Sequence, residues 1–189
     1  LPEDRPLVAS VWGSLGAAHM NEIMADFIVR ACANPFFSLI HSAGKGGYKG
    51  MVETLEKEKP DYRERGMDVR DYIYDMPRGM AAADLVLCRA GASTLAELTA
   101  MGKPAVLIPS PNVTNNHQER NARVLEDAGG AQVLLEGEFT ADSLLGLVSE
   151  LLHRPERLEA MSKAMKTLAV ADSTERIASL VLSLAGKGK

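Results

Sequence analysis

Six short apolar runs alternate along the chain with segments whose apolar residues recur at helical spacing. The runs are residues 7–12, 36–41, 67–74, 84–88, 104–109 and 131–135. Residues 18–33 show the second pattern: Met20, Ile23, Met24, Phe27, Ile28 and Ala31 share one face of a 3.6-residue repeat. Further helices are predicted over residues 48–59, 78–83, 93–101, 117–128, 143–152, 155–168 and 173–185, the first of these charged and exposed, the last amphipathic. Asn34-Pro35 breaks the first helix, and Pro77 and Pro155 suit helix starts. Gly102 reads as the residue closing a helix and Thr140 as an N-cap. Alternating strands and helices imply an α/β fold, a doubly wound, Rossmann-like parallel sheet of about six strands with helices on both faces. Residues 7–185 read as one domain, residues 1–6 as a linker and residues 186–189 as a tail.

A doubly wound sheet places ligands at the carboxyl ends of its strands. Ser14, Gly44, Ile73, Ser93 and His117 all fall at or just beyond such ends. The densest candidate is Cys88-Arg89-Ala90-Gly91-Ala92-Ser93-Thr94-Leu95-Ala96-Glu97: a buried strand end, a small-residue turn and a helix start. Free N–H groups at such a start suit an anion. Glu97, one turn further in, can accept two ribose hydroxyls, or it lies on a solvated face. Gly13-Ser14-Leu15-Gly16-Ala17 is a second turn through which backbone can approach a phosphate, though it also fits a plain strand–helix connection. Ser42-Ala43-Gly44-Lys45-Gly46-Gly47 carries one lysine, which either touches a diphosphate or is solvated. His117-Gln118-Glu119-Arg120-Asn121 opens a helix that either binds sugar hydroxyls or is a capped, solvated start. His41, at a strand end, and His153 read as structural and surface residues.

Composition narrows the classes. The chain has 189 residues, 46% hydrophobic and 24% charged, as in ordinary globular domains. A formal net charge of -4 argues against nucleic acid as a partner, which calls for a concentrated basic surface. No apolar run reaches the ~18–20 residues of a membrane span. The first six residues lack the apolar stretch of a signal peptide. Cys32 and Cys88 have no metal or redox spacing and read as free thiols of a reducing cytoplasm.

Five motifs together carry a resemblance: Gly13-Ser14-Leu15-Gly16-Ala17, His41-Ser42-Ala43-Gly44-Lys45-Gly46, Arg89 to Glu97, Gly102-Lys103-Pro104-Ala105-Val106-Leu107-Ile108-Pro109, and Asn115-Asn116-His117-Gln118-Glu119-Arg120-Asn121-Ala122. In this order and spacing they resemble the nucleotide-sugar half of the MurG-type enzymes, the N-acetylglucosaminyltransferases of peptidoglycan synthesis. Those enzymes move GlcNAc from UDP-GlcNAc to undecaprenyl-diphospho-N-acetylmuramoyl-pentapeptide (lipid I), giving lipid II. The resemblance implies one half of a GT-B fold, inverting chemistry, and no metal or other cofactor. It also implies a cytoplasmic enzyme peripheral to the inner membrane, which meets that surface and the lipid-linked acceptor through an N-terminal domain outside this chain. The general base is expected in that domain too, so no catalytic residue is assigned here.

The resemblance also assigns roles. Glu97 would take the ribose hydroxyls. Ala92, Ser93 and Thr94 would meet the phosphates through N–H groups and hydroxyls. Ser14 would face the diphosphate or sugar, and Ile73 would hold uracil. His117 and Gln118 would contact GlcNAc, supported by Asn121. Trp12 departs from the family, standing where a glycine is usual. The chain then reads as an excised donor domain or a subunit of a split enzyme. The alternatives are the catalytic half of a dolichol-pathway GlcNAc transferase, a glycolipid glucosyltransferase, or a non-catalytic UDP-sugar-binding module.

Overall fold

The computed structural model describes residues 4–13 and 17–186. Its six strands are β1 (Leu7–Val11), β2 (Ser38–Ser42), β3 (Met67–Arg70), β4 (Leu85–Cys88), β5 (Ala105–Leu107) and β6 (Ala131–Val133). Its helices are α1 (Ala18–Ala31), α2 (Tyr48–Glu58), α3 (Met76–Ala82), α4 (Ala92–Met101), α5 (His117–Asp127), α6 (Ala141–Leu152), α7 (Pro155–Thr167) and α8 (Ser173–Gly186). All strand pairings are parallel, in the order β3-β2-β1-β4-β5-β6. This is the doubly wound sheet expected from the alternation, with its switch point between β1 and β4.

Strand alternation sends side chains to two cores. On one side Val8, Leu39, Leu85 and Leu87 pack under α1, α2 and α6, with Phe27, Leu55 and Val148. On the other Ala9, Ile40, Val86 and Leu107 pack under α3, α4 and α5, with Met80, Leu98 and Leu125. Asp84 pins the base of the switch point: its Oδ2 accepts from Leu7 N–H at 2.8 Å while its own N–H donates to Leu7 O.

The helix ends follow local chemistry. Thr140 caps α6 in a capping box with Ser143. Gly102, left-handed at φ 66°, closes α4. The next residue, Lys103, donates from Nζ to Ala81 O and to Ala83 O at 2.8 Å, closing α3 as well. Gly102-Lys103 thus terminates two helices before Pro104 leads into β5.

Three expectations change. The third strand ends at Arg70 and not Tyr74, because its only partner, β2, ends at Ser42. Ile73 is therefore buried by packing with the α3-side core, not by sheet pairing. The charged helix α2 buries Met51 and Leu55. The amphipathic helix α8 leaves Ile177, Leu180, Val181 and Leu184, one stripe at i, i+3, i+4 and i+7, more than half exposed.

His41 and Ser10 are fully buried register partners. Ser10 Oγ lies 2.9 Å from His41 Nδ1, while His41 Nε2 has no hydrogen-bond partner. Burial pushes the His41 pKa down to about 3. A histidine whose folded pKa lies below its unfolded value costs stability in acid, because the unfolded chain binds a proton that the folded one refuses. The loss starts as pH falls through about 6.5 and continues towards about 3. His41→Gln is expected to flatten the stability–pH curve there by up to one proton's worth, about 1.4 kcal/mol per pH unit. Parallel urea-denaturation curves for the two proteins between pH 6.5 and 4 would count against this.

Candidate functional site

A cleft of about 550 Å³ opens at the switch point. Val11, Trp12 and Gly13 leave β1 on one side of it, and Arg89 and Gly91 leave β4 on the other. Gly13 turns at φ 89°, a backbone geometry that favours glycine. Ala17 and Ala18 bring in the start of α1, Thr94 the first turn of α4, and Ser110, Asn112, Gln118 and Glu136 the exits of β5 and β6.

Among the described residues neither helix start has a side-chain cap: Ala17 precedes α1 and Gly91 precedes α4, and neither first turn holds an acidic residue. Their leading N–H groups are therefore open to an exogenous acceptor, with two helix dipoles adding partial positive charge. A hollow of about 590 Å³ between α1 and α2 shares only Ala18 with the cleft. Glu22, Asp26 and Glu58 line it, so its field repels the anions that the helix starts attract.

Arg89 occupies the centre of the cleft wall, with its side chain 14% exposed. Its Nη1 donates to Ile108 O at 3.1 Å and Pro109 O at 3.2 Å, and lies 2.5 Å from Glu136 Oε2. The last contact is an ion pair without hydrogen-bond alignment, since Oε2 has no hydrogen-bond partner. The guanidinium carbon sits 5.8 Å from the centre of the Trp12 ring, so the indole face covers the charge. Ser110 N–H donates to Gln118 Oε1 at 2.9 Å.

Of the residues predicted from sequence, Thr94 and Gln118 line this cleft. Ala92, Ser93 and Glu97 are exposed on α4, His117 is exposed at the start of α5, and Asn121 is half-buried one turn on. Ile73 is buried and does not line the cleft. Ser14 lies outside the described residues, and Lys45 is exposed on the loop after β2. Burial, then the charge of Glu97, pushes the Cys88 thiol up to about 12, so it stays protonated and unreactive. Sequence reasoning gave no role to Arg89, Glu136, Ser110 or Asn112. For Arg89 a signal was present: an arginine directly after a fully buried strand needs an acceptor nearby. Among the described residues, no group of three or more His, Cys, Asp or Glu side chains could hold a metal ion.

The approach to α5 explains its run of amides. Asn115 and Asn116 are the only described non-glycine residues with positive φ, at 55° and 50°. Asparagine tolerates this left-handed region better than other side chains. The turn brings His117 back, and its Nδ1 lies 2.9 Å from Thr114 O. A carbonyl only accepts, so Nδ1 is the donor in this bond.

A doubly wound sheet with two uncapped helix starts at its switch point is the architecture of nucleotide-binding α/β domains. The chain belongs to the family described as the glycosyltransferase family 28 C-terminal domain, which matches residues 8–177. A curated relative from Acetivibrio thermocellus, named UDP-N-acetylglucosamine--N-acetylmuramyl-(pentapeptide) pyrophosphoryl-undecaprenol N-acetylglucosamine transferase, is 41% identical over 181 residues, 96% of this chain and 48% of its own length. A relative of the same name from Desulforudis audaxviator is 37% identical over 189 residues, 100% of this chain and 51% of its own length. The crystal structure of Acinetobacter baumannii MurG matches with a TM-score of 0.81 at 24% identity, over 97% of this chain and 51% of that one, a likeness of fold. The chain spans about half the length of the curated relatives it matches.

Asn115→Ala is expected to cost about 1 kcal/mol, since alanine keeps the Cβ but loses the short polar side chain that suits asparagine to left-handed backbone, and Asn115→Gly, which removes the Cβ, to cost less. Equal losses in chemical denaturation would show that the turn is held by the asparagine side chain instead.

Proposed function

We propose that this chain is the donor-binding half of an enzyme that transfers GlcNAc from UDP-GlcNAc to the muramoyl-pentapeptide lipid carrier in peptidoglycan synthesis. The observation that carries the reading is the pair of uncapped helix starts, α1 and α4, facing one cleft. Two sets of unpaired N–H groups fit a diphosphate, and the transferase names of the relatives supply the sugar and the acceptor.

In this reading the α4 start (Ala92, Ser93, Thr94) and Ser14 hold the diphosphate, and Glu97 takes the ribose hydroxyls. The backbone at Ile73 reads uracil, and His117, Gln118 and Asn121 face GlcNAc. An acceptor hydroxyl attacks the anomeric carbon with inversion, and UDP leaves. Negative charge then develops on the diphosphate, where fixed N–H donors act without reorganising; each is typically worth ~3 kcal/mol. No bound metal is required for that stabilisation. The base that takes the acceptor proton belongs to the other half of the enzyme, together with the acceptor site and the contact with the inner membrane surface. The unpartnered apolar stripe on α8 supports such a partner half.

The closing experiment is calorimetric titration of this chain with UDP-GlcNAc, UDP-glucose and UDP. Preference for UDP-GlcNAc over UDP-glucose is expected; no binding of any of them would leave a partner-binding module as the better account. Glu97→Ala should weaken UDP binding by roughly ten-fold, the loss of hydrogen bonds to a charged group; unchanged affinity would remove Glu97 from the ribose site. The chain alone should form no lipid II from lipid I and UDP-GlcNAc, and measurable product would place a base within it.

A further inference from the structure

The Arg89–Glu136 pair does more than neutralise itself. Arg89 Nη1 holds Pro109 O at 3.2 Å, and the N–H of the same peptide unit, on Ser110, donates to Gln118 Oε1 at 2.9 Å. A peptide unit is planar, so a grip on its carbonyl fixes the direction of its N–H. The two bonds also polarise one another through the amide. Glu136 anchors the guanidinium from the β6 side, at 12% side-chain exposure, and the Trp12 ring covers it. A continuous path thus runs from the exit of β6, through the exits of β4 and β5, to the first turn of α5.

That path determines what Gln118 offers to the cleft. The Ser110 N–H can only donate, so Gln118 must turn its oxygen towards it. The Nε2 amide, with two N–H donors, is left for a ligand.

We propose that Arg89 and Glu136 are positioning residues: through the Pro109–Ser110 peptide they hold Gln118 with its amide donors towards acceptor oxygens on the sugar of the bound donor. The inference rests on the reading of the cleft as a UDP-sugar site. It adds that sugar recognition is set by an ion pair that acts through a peptide unit and Gln118. Lysine keeps the charge at position 89, but its side chain is shorter, so its one nitrogen falls short of the place from which Arg89 Nη1 meets both carbonyls and the carboxylate.

The test compares UDP-GlcNAc with UDP by calorimetry on the full chain, with thermal melts to check folding. Arg89→Lys and Gln118→Ala should each lower the UDP-GlcNAc to UDP affinity ratio by roughly three- to ten-fold, as for loss of one or two hydrogen bonds, with UDP affinity held within about two-fold. The double variant should lose no more than Gln118→Ala alone, because both changes remove the same contact. Should Arg89→Lys fail to fold, Glu136→Asp, which keeps the charge and shortens the reach, carries the same comparison. A merely structural ion pair would weaken both ligands together; that result, an unchanged ratio, or additive losses would overturn the inference. A wild-type chain that binds neither ligand would instead remove the UDP-sugar reading, and the inference with it.

Discussion

The molecule depends on the gap between β1 and β4. The two strands are hydrogen-bonded neighbours, yet the connection after β1 runs to one face of the sheet and the connection after β4 to the other. Where the chain diverges a cleft opens above the strand ends, and two helices begin there without a side-chain cap among the described residues. An uncapped helix start costs stability, because its donors find only water. Two at one crevice, with no acidic residue in either first turn, concentrate partial positive charge where a ligand can use it.

A crevice between diverging strands needs something to fix its width. Arg89 does this from the centre, with one guanidinium nitrogen reaching the exit of β5 and the loop beyond β6 while Trp12 of the β1 exit covers it. The pair is largely excluded from water, so removing either partner strands a charge, and the cost of that exceeds what the intact pair contributes. Trp12 gains a reason in the same arrangement. The indole narrows the approach to the β1 turn, but it also shields the guanidinium that holds three strand exits together.

Much of the fold was legible because its signals are local. The spacing of Met20, Met24, Phe27 and Ile28 marks α1, and Thr140, Gly102 and Pro155 mark helix ends by backbone chemistry that needs no tertiary partner. The misjudged elements depend on neighbours. Tyr72 and Ile73 continue an apolar run, but β2 offers nothing to pair with beyond Ser42. The charges of α2 mask two side chains that the sheet buries. Within the cleft, Thr94 and Gln118 had been named because the motifs that carry the family resemblance include them; Arg89 and Glu136 had no assigned role, because an arginine after a buried strand calls for an acceptor without saying which one.

By itself the sequence determined the class of fold and the number of strands along the chain, since hydrophobic period and turn chemistry are read over a few residues. Only the tertiary structure decided that β4 lies beside β1, that Glu136 is the counter-ion of Arg89, and that one planar peptide links that pair to Gln118. The reason is physical. Pairing across a sheet follows from register and from which face each crossover takes, and charges far apart in sequence become partners only after those choices are made.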